Sequence, residues 1–281
     1  VLIAYGGIFL VADSIGCWDR YRLQPQERPT ADAVWHYALN TCFVYGIVVV
    51  PANAAATLFA PPKHLPELPP TLLTFGWELT MLLVAMDTGY FLWHYLHHQN
   101  KWLFRTFHAL HHEATATNVW VAQHLTVVEF LVVATLSTVP AVLLGVHPLS
   151  AWVWYALSVT LSVDGHCGYD LPFHPFAPLI WAGILGGARH HDLHHLRPHR
   201  NMAPFLTLWD RIAGTHSEGT DLTPDQFMFG EKQRRQSPAE DRKDAPAQSR
   251  RSSSSTGAVS EHAPPRARGR RAAVAAGSTA K

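Results

Sequence analysis

Nine histidines in this chain recur at spacings that bring imidazoles together. WHYLHH supplies His94 and His98, and FHALHH supplies His108, His111 and His112. DGHCGYD supplies His166, and RHHDLHH supplies His191, His194 and His195. On a helix, residues three or four apart share a face, with Cβ atoms about 5–6 Å apart. Each HxxxH or HxxHH group can therefore aim two or three imidazoles at one point. The extra neighbour in HxxHH is rotated by about 100°, which suits a second ion nearby. Imidazole binds Fe, Zn, Cu and Ni, and geometry selects among them. A structural zinc takes four ligands, usually including Cys. Nine imidazoles from four segments, with no Cys pairs beside them, are too many for one ion and suit two. A purification tag does not fit residues 188–201, which are internal and interrupted by Asp192 and Leu193.

Other histidines are weaker candidates. His97 could replace His98, His190 could be a ligand or a neighbour of one, and His124 in QHLTVVE is a possible extra ligand. A non-ligand role is favoured for all three. His36, His64, His147, His174, His199, His216 and His262 read most simply as surface or interfacial. A ligating histidine usually donates its other N–H to a carboxylate or carbonyl. Asp87, seven residues before His94, faces the same way on a helix and could accept that bond, or it could join two helices instead. Glu129 and Asp192 are similar candidates, as are Asp164 and Asp170. There is no GxSxG elbow, P-loop or dinucleotide fingerprint, and nothing points to nucleic acid.

Helices must carry these side chains. The predicted fold class is all-α: a polytopic membrane helical bundle with a cytosolic, histidine-rich di-metal cap. Residues 1–16 read as a clipped span, so the N-terminus is expected to be truncated. Residues 34–58 and 71–93 are two further spans, and 125–164 is a hairpin of two, broken at GVHPL. Residues 176–187 are too short to cross. The soluble alternative, an all-α protein with buried helices, is disfavoured because several runs are apolar on every face. Arg20, Arg22, Arg28, Lys101 and Arg105 fall on one side, whereas the opposite loops, 59–70 and 145–149, hold only Lys63. Positive residues favour the cytosolic side, which places all the histidine groups there. A membrane-embedded domain is expected over 1–230. Residues 231–281 contain no Phe, Trp, Tyr, Leu, Ile or Met and carry twelve basic against five acidic side chains. Such a tail cannot offset its ordering entropy and is expected to be disordered. Three cysteines make no disulfide framework; two lie in apolar stretches and are expected to be buried.

HYLHH, HALHH, HCGYDLP and RHHDLHH, followed by NMAPFLTLWDRIAGT, resemble the fatty acid hydroxylase/sterol desaturase superfamily over roughly residues 5–216. Its cholesterol 25-hydroxylase and C-4 methylsterol monooxygenase branches are the most similar, the former through LLGVHPL and LSVDGHCGYDLP. The resemblance implies a multi-pass endoplasmic-reticulum membrane enzyme. It implies a non-haem di-iron centre held by the nine histidines above and O2 as oxidant. Electrons would come from NAD(P)H, through cytochrome b5 and its reductase. The expected reaction is hydroxylation of a sterol or related lipid C–H bond. C-4 methyl oxidation or desaturation would use the same site. A metal transporter or an inactive scaffold is the reading from another class. A transporter places its ligands near the bilayer midplane, and these lie beyond span ends.

Overall fold

The computed structural model describes residues 1–59 and 66–219. The domain boundary expected at 230, the basic tail of 231–281, His64 and His262 all lie outside the described residues. Among the described residues the chain is helical, with two isolated bridges and no strand.

Helix α1 (Leu2–Ile15) stops at Gly16, whose φ of 68° is the left-handed cap that glycine adopts most readily. Thr30 starts α2 (Ala31–Val44) by accepting the Ala33 N–H. A wide turn at Tyr45–Val49 then carries the chain into α3 (Val50–Phe59), with Pro51 in its first turn. Thr71 caps α4 (Leu72–Gln99), and the Asn100 side chain caps α5 (Lys101–Leu103). Thr126 caps α6 (Val127–Leu143), and Pro148 opens α7 (Pro148–His166), where its missing N–H costs nothing. The short helices α8 (Ala177–Trp181), α9 (Gly187–Leu196) and α10 (Leu208–Ala213) complete the described chain.

Helices α4, α6 and α7 pack around one core. Leu82, Met86 and Tyr90 meet Ala141, Trp154 and Leu161, closed by Leu185, Phe205 and Leu206. Trp154 is wholly buried and donates its indole N–H to the Ser137 carbonyl at 3.1 Å. Asp87 lies in this layer. Its carboxylate accepts the N–H groups of Phe205 and Leu206 at 2.9 and 3.0 Å and touches no ligand imidazole. The expectation that it orients a histidine is therefore corrected. Those two N–H groups approach from a distant loop, and the carboxylate satisfies them.

The outer surface is apolar. Ile3, Ile15, Leu39, Phe43, Leu72, Trp77, Leu92, Val142 and Leu143 are all exposed. Exposed apolar side chains in such number suit contact with an apolar phase or partner. Among the described residues, one helix, Ala31–Ala55, is long and apolar enough to cross a membrane. The expected spans at 71–93 and 125–164 form α4 and the α6–α7 pair. Their inward faces carry buried Asp87, Glu129, Ser150 and Asp164, which lower their overall apolarity. The run at 176–187 breaks into α8 and a turn. Cys167 is buried as expected, whereas Cys17 and Cys42 are exposed.

Candidate metal centre

The end of α4 carries His94 and His98 one turn apart. After α5 the backbone opens into a wide turn, Phe104–His108, closed by Ala109 N–H to Phe104 O at 2.8 Å. A tight turn over His111–Glu113 follows. His166 ends α7, and α9 presents His191, His194 and His195. These segments converge on two groups of nitrogens. His94, His98, His108, His112 and His194 form one; His111, His166, His191 and His195 form the other. Within each group the ligand atoms lie within 4.8 Å of one another.

The two HxxHH runs are shared between the groups in opposite senses. His108 and His112 serve the first group and His111 the second. In α9, His191 and His195 serve the second group and His194 the first. The i,i+4 pair of each run stays together, and the histidine three along the helix turns to the other group. His112 and His195 bring the groups side by side, with ring centroids 4.7 Å apart.

The residues fit metal ions on three observations. First, five of the nine Nδ1 atoms are committed elsewhere. His94 donates to Met202 O at 2.6 Å, His194 to Arg200 O at 2.7 Å, His195 to Ala114 O at 2.9 Å and His166 to Ser162 O at 2.7 Å. His108 donates to Glu129 Oε1 at 2.7 Å. These partners assign the tautomer: the proton is on Nδ1, and each Nε2 carries a lone pair. Second, the Nε2 atoms face one another. In the first group, Nε2 atoms lie 2.8 Å apart for His94–His108 and 3.0 Å for His98–His94. The separations are 3.0 Å for His112–His108 and 3.1 Å for His194–His112. In the second group they are 2.9 Å for His191–His166 and 3.3 Å for His166–His111. The buried His195 Nε2 has no hydrogen-bond partner at all. His94 and His108 both hold their proton on Nδ1, so their Nε2 lone pairs repel at 2.8 Å unless a cation lies between them. Third, separations near 3 Å match the edge of an octahedron built on metal–nitrogen bonds of about 2.1 Å.

Burial also sets the protonation state. His108, His111, His112, His191, His194 and His195 are held well below the usual imidazole range, first by desolvation and then by neighbouring imidazoles. They are neutral at physiological pH, the form that ligates a metal.

Three histidines named from sequence lie outside both groups. His97 donates to Trp93 O at 2.7 Å and stacks on the Trp93 ring. His190 lies 3.5 Å from the Asp210 carboxylate. His124 faces Glu113 and His36. Of the three carboxylates, Glu129 touches a ligand. Asp192 does not: it accepts from Thr117 Oγ1 at 2.8 Å and from Gln24 Nε2 at 3.0 Å, tying α9 to two loops. Burial pushes its carboxyl up to about 6 against those bonds. Sequence reasoning missed the backbone acceptors at 114, 162, 200 and 202, because carbonyls leave no mark in a residue pattern.

Gly168, two residues beyond His166, has φ 76°, and a Cβ there would lie 2.8 Å from Thr117 O. Gly168→Ala is expected to destabilise the chain by about 1–3 kcal/mol through left-handed strain and that clash. A thermal unfolding shift in detergent reads this, and an unchanged midpoint would contradict it.

Residues 79–215 match the family model described as fatty acid hydroxylase. The chain is 39% identical over 199 residues to cholesterol 25-hydroxylase-like protein 1, member 2 of Danio rerio, covering 71% of this chain and 72% of that protein. It is 33% identical over 213 residues to cholesterol 25-hydroxylase of Homo sapiens, covering 74% and 77%. A Caenorhabditis elegans cholesterol 25-hydroxylase-like protein is 33% identical over 174 residues, covering 62% and 57%. No solved structure matches the chain.

Proposed function

We propose, from the premise that the chain belongs to the fatty acid hydroxylase family, that it is a multi-pass membrane hydroxylase of a sterol or related lipid. The observation that carries this reading is the convergence of nine imidazoles, seven buried and two half-buried, into two groups of clustered ring nitrogens. Two irons are the proposed cargo of these groups: bound, they supply reductive activation of O2, so that RH, O2, NAD(P)H and a proton give ROH, water and NAD(P)+. The chain's own residues orient and shield. Backbone carbonyls and Glu129 fix five rings by their Nδ1 protons. Near-complete burial of those rings keeps bulk water from the centre.

A cleft lined by Leu161, Phe176, Ile180, Leu185 and Phe205 reaches Gly165, where a Cβ would stand 3.6 Å from His191 Cβ. An apolar chain or ring edge lying there is presented to the second group. The apolar outer face suits entry from a bilayer. The basic loops beside the histidine runs support a cytosolic site at the endoplasmic-reticulum membrane, where cytochrome b5 and its reductase would deliver the electrons. Arg105 supplies positive charge for an acidic partner.

The test is microsomal. The chain is supplied with NADH, labelled O2 and a panel of sterols and other lipids, and products are read by mass spectrometry. A product carrying one oxygen atom from O2 is expected. A metal-loaded chain that yields no oxygen-dependent product from any lipid overturns the reading.

A further inference from the structure

Outside the two imidazole groups, a third set of donors comes together on the same side of the chain. His36 on α2, Glu113 in the turn after His112, and His124 place their ligand atoms within 4.8 Å of one another. His36 belongs to no histidine run, so spacing alone reads it as surface or interfacial. It is the fold of α2 against the 111–124 segment that brings it here. The His36 and His124 rings lie 5.1 Å apart, and Tyr37 packs on His124 at 4.6 Å.

The distances within the trio leave room for a metal ion. Glu113 Oε2 is 3.2 Å from His124 Nε2 and 3.3 Å from His36 Nε2. A charge-assisted N–H to carboxylate bond runs about 2.7–2.9 Å. This chain shows such a bond at His108–Glu129, 2.7 Å. The longer pair instead matches the edge of a tetrahedron, about 3.3 Å for metal–ligand bonds of about 2.0–2.1 Å. Both imidazoles approach the same carboxylate oxygen, as donors do around one ion. His124 is completely buried, packed by Tyr37 and His36, and its Nε2 is aimed at Glu113. His36 and Glu113 are exposed, at 59% and 48% of their side-chain surface. Solvent therefore reaches the site and can complete its coordination.

We propose that His36, Glu113 and His124 form a third cation site, distinct from the two imidazole groups and selective for a zinc-like divalent transition metal. Two imidazoles and one carboxylate suit that class of ion rather than Mg2+ or Ca2+, which prefer oxygen donors. The ion ties α2 to the turn that carries His111 and His112, and it exchanges with solvent where the buried centre does not. The inference stands on this geometry alone and does not depend on the hydroxylase reading.

The experiment uses the full chain in detergent, stripped by chelator and reloaded with Zn2+ or Co2+. Metal content is read by elemental mass spectrometry and Co2+ by visible absorption. Wild type is expected to hold one equivalent more than His36→Ala and Glu113→Gln. That equivalent leaves first under mild chelation, taking a tetrahedral Co2+ absorption band with it. Because His36 is exposed on a helix, its replacement leaves the fold intact, and circular dichroism verifies this. Equal metal content in wild type and both variants overturns the site, as does a weakly held extra equivalent that survives in them.

Discussion

His194→Ala is expected to abolish oxygen-dependent product formation while leaving the helical content unchanged. His194 is the one α9 residue that reaches the first group. Its Nε2 lies 3.1 Å from His112 Nε2, and its ring centroid is 4.5 Å from His94 and 4.8 Å from His98. The link between α9 and the α4 pair runs through this ring. Losing only an orienting partner of a metal ligand costs about 10–100-fold in affinity or activity. Losing the ligand costs more, so turnover below about 1% of wild type is expected. Alanine is a strong helix former, so α9 persists. Product yield and metal content, measured on the same preparation, check this. Wild-type turnover in His194→Ala would mean that the assigned centre is wrong.

The second large effect is at Glu129. Its sequence context, Thr126 followed three residues later by Glu, reads as a capping box. Thr126 does cap α6, accepting the Glu129 N–H at 3.2 Å. The Glu129 side chain does not reach back to the cap; it turns inward to take the His108 Nδ1 proton at 2.7 Å, with Tyr90 O–H at 3.5 Å. Both the carboxyl and the imidazole are completely buried. Glu129→Ala leaves that N–H with no acceptor and lets the ring rotate. Metal affinity is expected to fall about 100-fold, and about 10-fold for Glu129→Gln, which keeps a carbonyl acceptor. Chelator competition measures both. Equal affinity in wild type and Glu129→Ala would remove Glu129 from the centre.

The nine clustered imidazoles were legible because i,i+3 and i,i+4 spacing is local: one helix turn determines which imidazoles are neighbours. Their division between two groups was not. It depends on the wide turn at Phe104–His108 and on α9 meeting the end of α4, and neither is a property of the runs themselves. Asp87 shows the same limit. Its position seven residues before His94 correctly put it on the inward face of α4, but its partners are backbone N–H groups at 205 and 206. His36 could not be grouped with His124 from sequence, since tertiary packing alone joins them. The spans were read from apolar runs, and α4 and α7 mix that apolarity with the polar positions they turn inward.

Of the five Nδ1 protons with an acceptor around the centre, four go to main-chain carbonyls, at Ser162, Met202, Arg200 and Ala114. An acceptor supplied by the main chain survives replacement of the side chain that hangs from it. The aim of these rings is thus encoded in chain path rather than in residue identity, with Glu129 the exception. The acceptors at 162 and 200 persist through side-chain changes provided α7 and the loop after α9 keep their course, whereas packing constrains the buried Ala114 and Met202. Ser162 and Arg200 offer an engineer room to reshape the surroundings of the imidazole groups without touching the bonds that aim them.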